Sequence, residues 1–240
     1  MNNGALALLE EMLDRELLAC ACRHHFRELE LKAVVTLLLG GTSGPEMTIF
    51  NTFKRKWKFL DKSKYQVGFE PSIVSPEAAS EMLEFAKAQL LQFHPRDDYK
   101  ELLELTVTVL GGNSNPKFKA PVATHHARWM SKAIYILKMY LFRDQLDIST
   151  DNEWYGIIEI CQYLILVYIK AWFTCQTTTR APATELELLI KYMDYAKIDA
   201  SVSAVVLDKQ LRHLWYLSEK LLCICLFDSI LPLAVKRNVW

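Results

Sequence analysis

Apolar residues recur at helical spacing along most of this 240-residue chain, and glycine and proline repeatedly cut the pattern. That rhythm limits the fold more than any other feature. Leu6, Leu9, Leu13 and Leu17 predict a first helix, and the apolar run Leu17 to Cys22 is short enough to predict a buried strand. Residues His24 to Leu39 then predict a helix stopped by Gly40-Gly41-Thr42-Ser43-Gly44-Pro45. Further helices are expected at Glu46–Leu60, Pro76–Gln92, Asp97–Leu110, Thr124–Phe142, Asp151–Phe173, Thr184–Ala196 and Ser203–Ser229. Asp61 to Ser75 is turn-rich and reads as a linker. Two stretches, 31–41 and 102–112, share a helix that runs into a double glycine. Capping by glycine in the left-handed region explains both without an internal repeat.

A hydrophobic content of 51% supplies a substantial core. Lys and Arg number 28 and Asp and Glu number 28, so no global positive field marks a nucleic-acid binder, and only local patches remain for such a role. Six cysteines do not resemble the dense cross-linking of a small secreted domain, and no signal-peptide pattern opens the chain. An intracellular, reduced protein is the expectation. The apolar run Ile160–Ile169 lies between Glu159 and Lys170, well short of the roughly 20 residues needed to cross a bilayer. Asp228, Pro232 and Lys236 interrupt the C-terminal run from Leu221, so no membrane span is expected.

Four constellations have the residue types for chemistry. Cys22 and His25 stand in C-x-x-H spacing, which fits packing and hydrogen bonding or two of the four ligands of a zinc site. Lys54, Arg55, Lys56, Lys58, Lys62 and Lys64 against Asp61 give a local charge of 6 − 1 = +5, suited either to phosphate contact or to a solvated helix face. The aromatic residues between them, at helical spacing, read as core anchors. His125 and Arg128 fall on one helical face, as a cap, a packed pair or a DNA contact. Glu219 sits among apolar neighbours, where a carboxylate needs solvent, a cation or a polar cleft.

Taken in order, Asn2-Asn3-Gly4, Cys22-Arg23-His24-His25, Gly44-Pro45 before Phe50 and Phe53, His125-His126-Ala127-Arg128-Trp129-Met130 and His213-Leu214-Trp215-Tyr216-Leu217-Ser218-Glu219 resemble animal proteins derived from DDE-type DNA transposases. The resemblance spans nearly the whole chain. It implies a mainly α chain, the C-terminal fragment of a ribonuclease-H-like α/β domain carrying a large helical insertion. The implied divisions are a partial ribonuclease-H-like segment at 1–45, the insertion at 46–205 and a C-terminal catalytic-like helix at 206–240.

By the same resemblance, Cys22 and His25 are a structural motif, and Glu219 is a remnant of the acidic triad whose two upstream aspartates are missing. The implied function is noncatalytic interaction with DNA through Lys54, Arg55, Lys56, Lys58, His125 and Arg128. The alternatives are a metal-dependent nuclease or strand transferase completed by a partner, and a helical protein-interaction module or inactive mobile-element fragment. The isolated chain would need no cofactor. A completed form would hold Mg²⁺, with Glu219 a ligand only if another chain supplies the upstream acids. Expected partners are DNA and a related transposase-derived protein, with the nucleus as the matching location.

Overall fold

The computed structural model describes residues 4–41, 47–112, 116–121, 131–146 and 150–237. Twelve α-helices are placed among them. They are α1 (Ala5–Leu13), α2 (Arg23–Leu39), α3 (Thr48–Lys56), α4 (Pro76–Leu90), α5 (Asp97–Val109), α6 (Ser131–Leu141), α7 (Asp151–Tyr163), α8 (Ile169–Thr174), α9 (Ala181–Tyr195), α10 (Ala200–Leu211), α11 (Glu219–Leu222) and α12 (Leu233–Arg237). A π-helical segment, Leu164–Tyr168, joins α7 to α8 in one rod, and a 3₁₀ turn, Trp57–Phe59, extends α3.

Local chemistry explains where several of these helices begin and end. The Ser75 hydroxyl accepts the Ala78 N–H and Pro76 occupies the first helical turn, which starts α4. Thr150 caps α7 by accepting from the Glu153 N–H, and the Asp199 carboxylate caps α10 through the Ser201 and Val202 N–H groups. At the far ends, Gly111 (φ 76°) and Gly112 cap α5 by donating their N–H groups to the Thr108 and Val107 carbonyls, while Gly40 ends α2 with a positive φ of 81° but an extended ψ of 152°.

Packing then arranges the helices around two partly shared layers. α4 packs on α5, α5 on α6 and α6 on α7, and α4 closes the ring by meeting the π segment and α8. Across this ring lies α2, which packs on α7 on one side and on α10 on the other, while α9 joins α10 to α8. The crossing of α7 over the end of α2 is close because Gly156 has no side chain. A Cβ there would stand 2.7 Å from Leu39 Cδ2 and 2.8 Å from the Leu38 carbonyl oxygen. One apolar cluster runs from Leu31 on α2 to Val206 on α10, across the expected divisions at 45/46 and 205/206.

The α/β expectation is overturned. A ribonuclease-H-like domain is organised by a β-sheet, and the described residues are 71% helix with no strand. The architecture of the described residues is helical and free of sheet, and the DDE-like, ribonuclease-H-like identity falls with that sheet. The strand expected at Leu17–Cys22 is an exposed extended arm with no strand beside it. Its polar backbone finds other partners: the Leu17 N–H donates to the Glu10 carboxylate at 3.0 Å, and the Ala21 carbonyl accepts from the Tyr216 hydroxyl at 2.6 Å. The single helix expected at Ser203–Ser229 is broken after α10 into a 3₁₀ turn (Leu214–Leu217), α11 and a second 3₁₀ turn (Cys223–Phe227).

The rod formed by α7, the π segment and α8 contains 24 residues, so it exceeds the ten-residue apolar run read from the sequence. By length and composition it can cross a membrane, and 72% of its apolar window is buried inside the fold. Here it serves as the central core helix, with Ile157, Ile160, Tyr163, Leu164, Tyr168 and Trp172 all fully enclosed.

Candidate functional site

The constellations predicted from sequence do not converge. Cys22 is the exposed N-cap of α2 and its side chain makes no capping hydrogen bond, while His25 is exposed in the first turn of that helix. Lys54 lies 5.8 Å from the centre of the Tyr135 ring, Arg55 donates to Thr52 Oγ1 at 3.1 Å, and Lys58 rests over the ring of Phe59 at 4.8 Å. Lys56 closes α3 beside them. Lys62 turns away from this face to donate to the carbonyls of Trp57 and Leu60, with burial lowering its pKa. The aromatic residues of the same stretch are core anchors, as their spacing predicts: Phe50, Phe53 and Trp57 pack inward against Tyr135 and Phe142.

His125 and Arg128 lie outside the described residues. Glu219 opens α11 at the surface. No group of three or more His, Cys, Asp or Glu side chains suited to a metal ion occurs among the described residues. The transposase-derived function rests on a ribonuclease-H-like sheet that the described residues lack, so the DNA-interaction reading and its strand-transfer and nuclease alternative are withdrawn.

What the sequence did not announce is a buried ionic seam between α2, α9 and α10. Arg23, Arg27 and Glu30 occupy one face of α2, four and three residues apart. The Arg27 guanidinium, wholly buried, pairs with Glu30 at 3.0 Å and Glu185 at 2.7 Å, and donates to Gln210 Oε1 at 2.9 Å. Arg23 reaches Glu185 at 3.4 Å, Thr184 Oγ1 at 2.6 Å and the Thr174 carbonyl at 2.8 Å. The Tyr192 hydroxyl donates to Glu30 at 2.7 Å. Burial pushes the Glu30 carboxyl up to about 7 from an ordinary 4.5, against the opposing pull of Arg27 and the Tyr192 hydrogen bond. Next to the seam, the His24 ring lies 4.5 Å from the Trp172 ring at a tilt of 53°, and burial lowers its pKa to about 4. The signal was present as charged residues at i, i+4 and i+7 on a helix face that also carries Leu31 and Val34, but the partners that enclose them on α9 and α10 lie more than 150 residues away.

The outer side of the seam forms the back of a groove of about 200 Å³ between α4, the π segment with α8, and α9. Ile165, Leu166 and Leu188 supply its apolar lining, with Met82 from α4. The π segment matters here. Ile169 N–H bonds to the Leu164 carbonyl, a five-residue step, and the wider turn gives the groove wall three successive residues, Ile165, Leu166 and Val167. Thr174 and Thr184 line the groove and at the same time bond to Arg23, which ties its back wall to the ionic seam.

Charge is confined to the rim. Lys170 and Glu81 pair at 2.9 Å between α8 and α4, and both are largely exposed. That hydrogen bond, with the added field of Lys191, holds the Glu81 carboxyl below the usual range. Glu187 and Lys191 complete the charged lining on α9. The arrangement combines an apolar trough with an ionised, exchangeable rim. No protein-family model, curated protein or solved structure matches the chain.

Proposed function

We propose that this protein is a noncatalytic binding protein whose groove between α4, the π segment with α8, and α9 takes a short amphipathic carboxylate. The carrying observation is the Lys170–Glu81 pair standing at the rim of an apolar trough. A ligand carboxylate can take the place of the Glu81 side chain on Lys170, with Lys191 adding attraction, while its hydrocarbon part covers Met82, Ile165, Leu166 and Leu188. Glu81 then returns to water at small cost, because it is already exposed. The trough, at about 200 Å³, is smaller than the roughly 300–1,000 Å³ of drug-sized sites, which favours a short chain over a long-chain lipid.

Titration calorimetry with octanoate tests this. Binding should weaken about tenfold in Lys170→Ala, as loss of one charged hydrogen bond requires, and should strengthen in Glu81→Gln, where the internal competitor has lost its charge. Absence of octanoate binding to the folded wild-type chain, or equal affinity in all three proteins, rejects the proposal.

A further inference from the structure

The N-terminal arm and the C-terminal segment meet at one pole of the molecule, and both present apolar side chains to solvent. Tyr216 holds the Ala21 carbonyl, and Lys220 on α11 pairs with Glu16 on the arm at 3.3 Å. Beyond these anchors α1 extends with no buried residue, exposing Leu6, Leu8, Leu9, Met12 and Leu13. On the other side, Phe227, Ile230, Leu233 and Val235 are exposed as well, with Phe227 at 78% and Leu233 at 73%. Both segments that meet here thus carry exposed apolar side chains, as do Leu91, Phe93 and the α9 residues Leu186, Ile190 and Met193 elsewhere on the surface.

A nine-residue helix with no buried side chain has little to hold it, since isolated helices shorter than about 12–15 residues are marginal in water. Its apolar stripe needs a cover. The charges beside it indicate what kind: Glu10, Glu11, Asp14 and Glu16 against Arg15 give the arm −4 + 1 = −3, whereas Lys236 and Arg237 close α12. An acidic flank is unsuited to an anionic lipid surface, and it matches the basic end of this same fold.

We infer that this pole is a self-association surface, on which α1 of one copy lies against the Phe227–Arg237 segment of a second copy. The arm that carries α1 is tied to the C-terminal region through Tyr216 and Lys220, and a two-fold axis makes the exchange between copies reciprocal. Each acidic arm meets a basic tail, and the assembly closes as a dimer without leaving a surface that propagates. This inference is independent of the octanoate groove, which is built from α4, α8 and α9.

Sedimentation velocity of the full chain over a concentration series is the test. The wild type should pass from monomer to dimer at roughly micromolar concentration. Leu9→Glu with Met12→Glu should keep the chain monomeric, and its helical circular dichroism should persist because both positions are exposed. Glu11→Lys with Asp14→Lys should raise the dissociation constant by roughly a hundredfold, and adding Lys236→Glu with Arg237→Glu in the same chain should bring it back. A wild type that remains monomeric throughout overturns the inference. So does a dimer indifferent to the Leu9 and Met12 changes, or a charge-reversed pair that fails to recover. Binding of a monomeric wild type to phosphatidylcholine vesicles through α1 likewise rejects the second copy as its cover.

Discussion

The ionic seam and the terminal pole reverse the usual division between inside and outside. In the seam, Arg23, Arg27, Glu30 and Glu185 are buried, whereas at the pole Leu9, Met12, Phe227 and Leu233 face water. The difference lies in what the chain provides nearby. Each buried arginine is given counter-charges and hydrogen-bond acceptors from α9, α10 or the end of α8, so desolvation is offset by geometry. At the pole the chain supplies anchoring bonds at the base of the arm and little apolar cover farther out. Residue type alone does not decide burial in this molecule, and the availability of a fitting partner does.

Substitutions at the two regions should therefore have very different consequences. The largest effect is expected from Arg27→Met, which leaves Glu30 and Glu185 buried without their shared cation. A loss of about 3–5 kcal/mol in denaturant unfolding is expected, and a loss below 1 kcal/mol would remove the seam's claimed importance. Leu31→Ala, in the adjoining apolar core, should cost about 2–5 kcal/mol by the same measurement.

Glu30→Gln should cost less, about 1–2 kcal/mol at neutral pH, because one Glu30 oxygen has no hydrogen-bond partner and Glu185 still faces Arg27. Its pH signature is more telling. A carboxyl raised from 4.5 to about 7 contributes stability that is full below pH 4.5 and is lost as pH rises through 7, so Glu30→Gln should remove that decline. His24 acts with the opposite sign. Its pKa is lowered from 6.5 to about 4, so its contribution is full above pH 6.5 and is lost as pH falls toward 4. His24→Gln should flatten the acid side of the stability profile, and an unchanged profile would show that His24 does not resist protonation in the fold.

The smallest effect belongs to the pole. Leu9→Ser should change unfolding of the dilute, monomeric chain by no more than about 0.5 kcal/mol, since its side chain is already half exposed. A loss comparable to that of Leu31→Ala would mean that α1 is packed against the body after all, and would erase the contrast between the two regions.

Much of the helical framework was legible in the sequence. Pro76 marked the start of α4, Asp97 the start of α5, and the double glycines the ends of α2 and α5. These signals act within one or two turns, where capping and backbone freedom dominate. The aromatic spacing of Phe50, Phe53 and Trp57 likewise identified a buried face. The α/β architecture came from a resemblance of scattered motifs, and the helical periodicity around those motifs was the better guide. Leu17–Cys22 misled because a short apolar run looks the same whether it becomes a strand or an arm held by side chains. The break after α10 was missed because Arg212 and His213 interrupt the helix without a glycine or proline to mark it.

Neither the groove nor the seam could be found from local pattern. Glu81, Lys170 and Lys191 are unremarkable charges on three separate helices, and only tertiary packing gathers them around one trough. The π segment is equally silent, because Leu164 to Tyr168 has the composition of any buried helix. By contrast, the basic stretch from Lys54 to Lys64 was conspicuous in sequence, yet Lys62 is committed to capping the end of its own 3₁₀ turn.

The seam also sets the order in which a newly made chain can become itself. Arg27 leaves the ribosome 158 residues ahead of Glu185 and 183 residues ahead of Gln210. Until then Arg27 has Glu30 on its own helix, but both arginines lack the Glu185 carboxylate that they share in the folded chain. Completion of α9 and α10 is thus the event that closes the seam, and a chain cut before Glu185 would lack the acid that both arginines share.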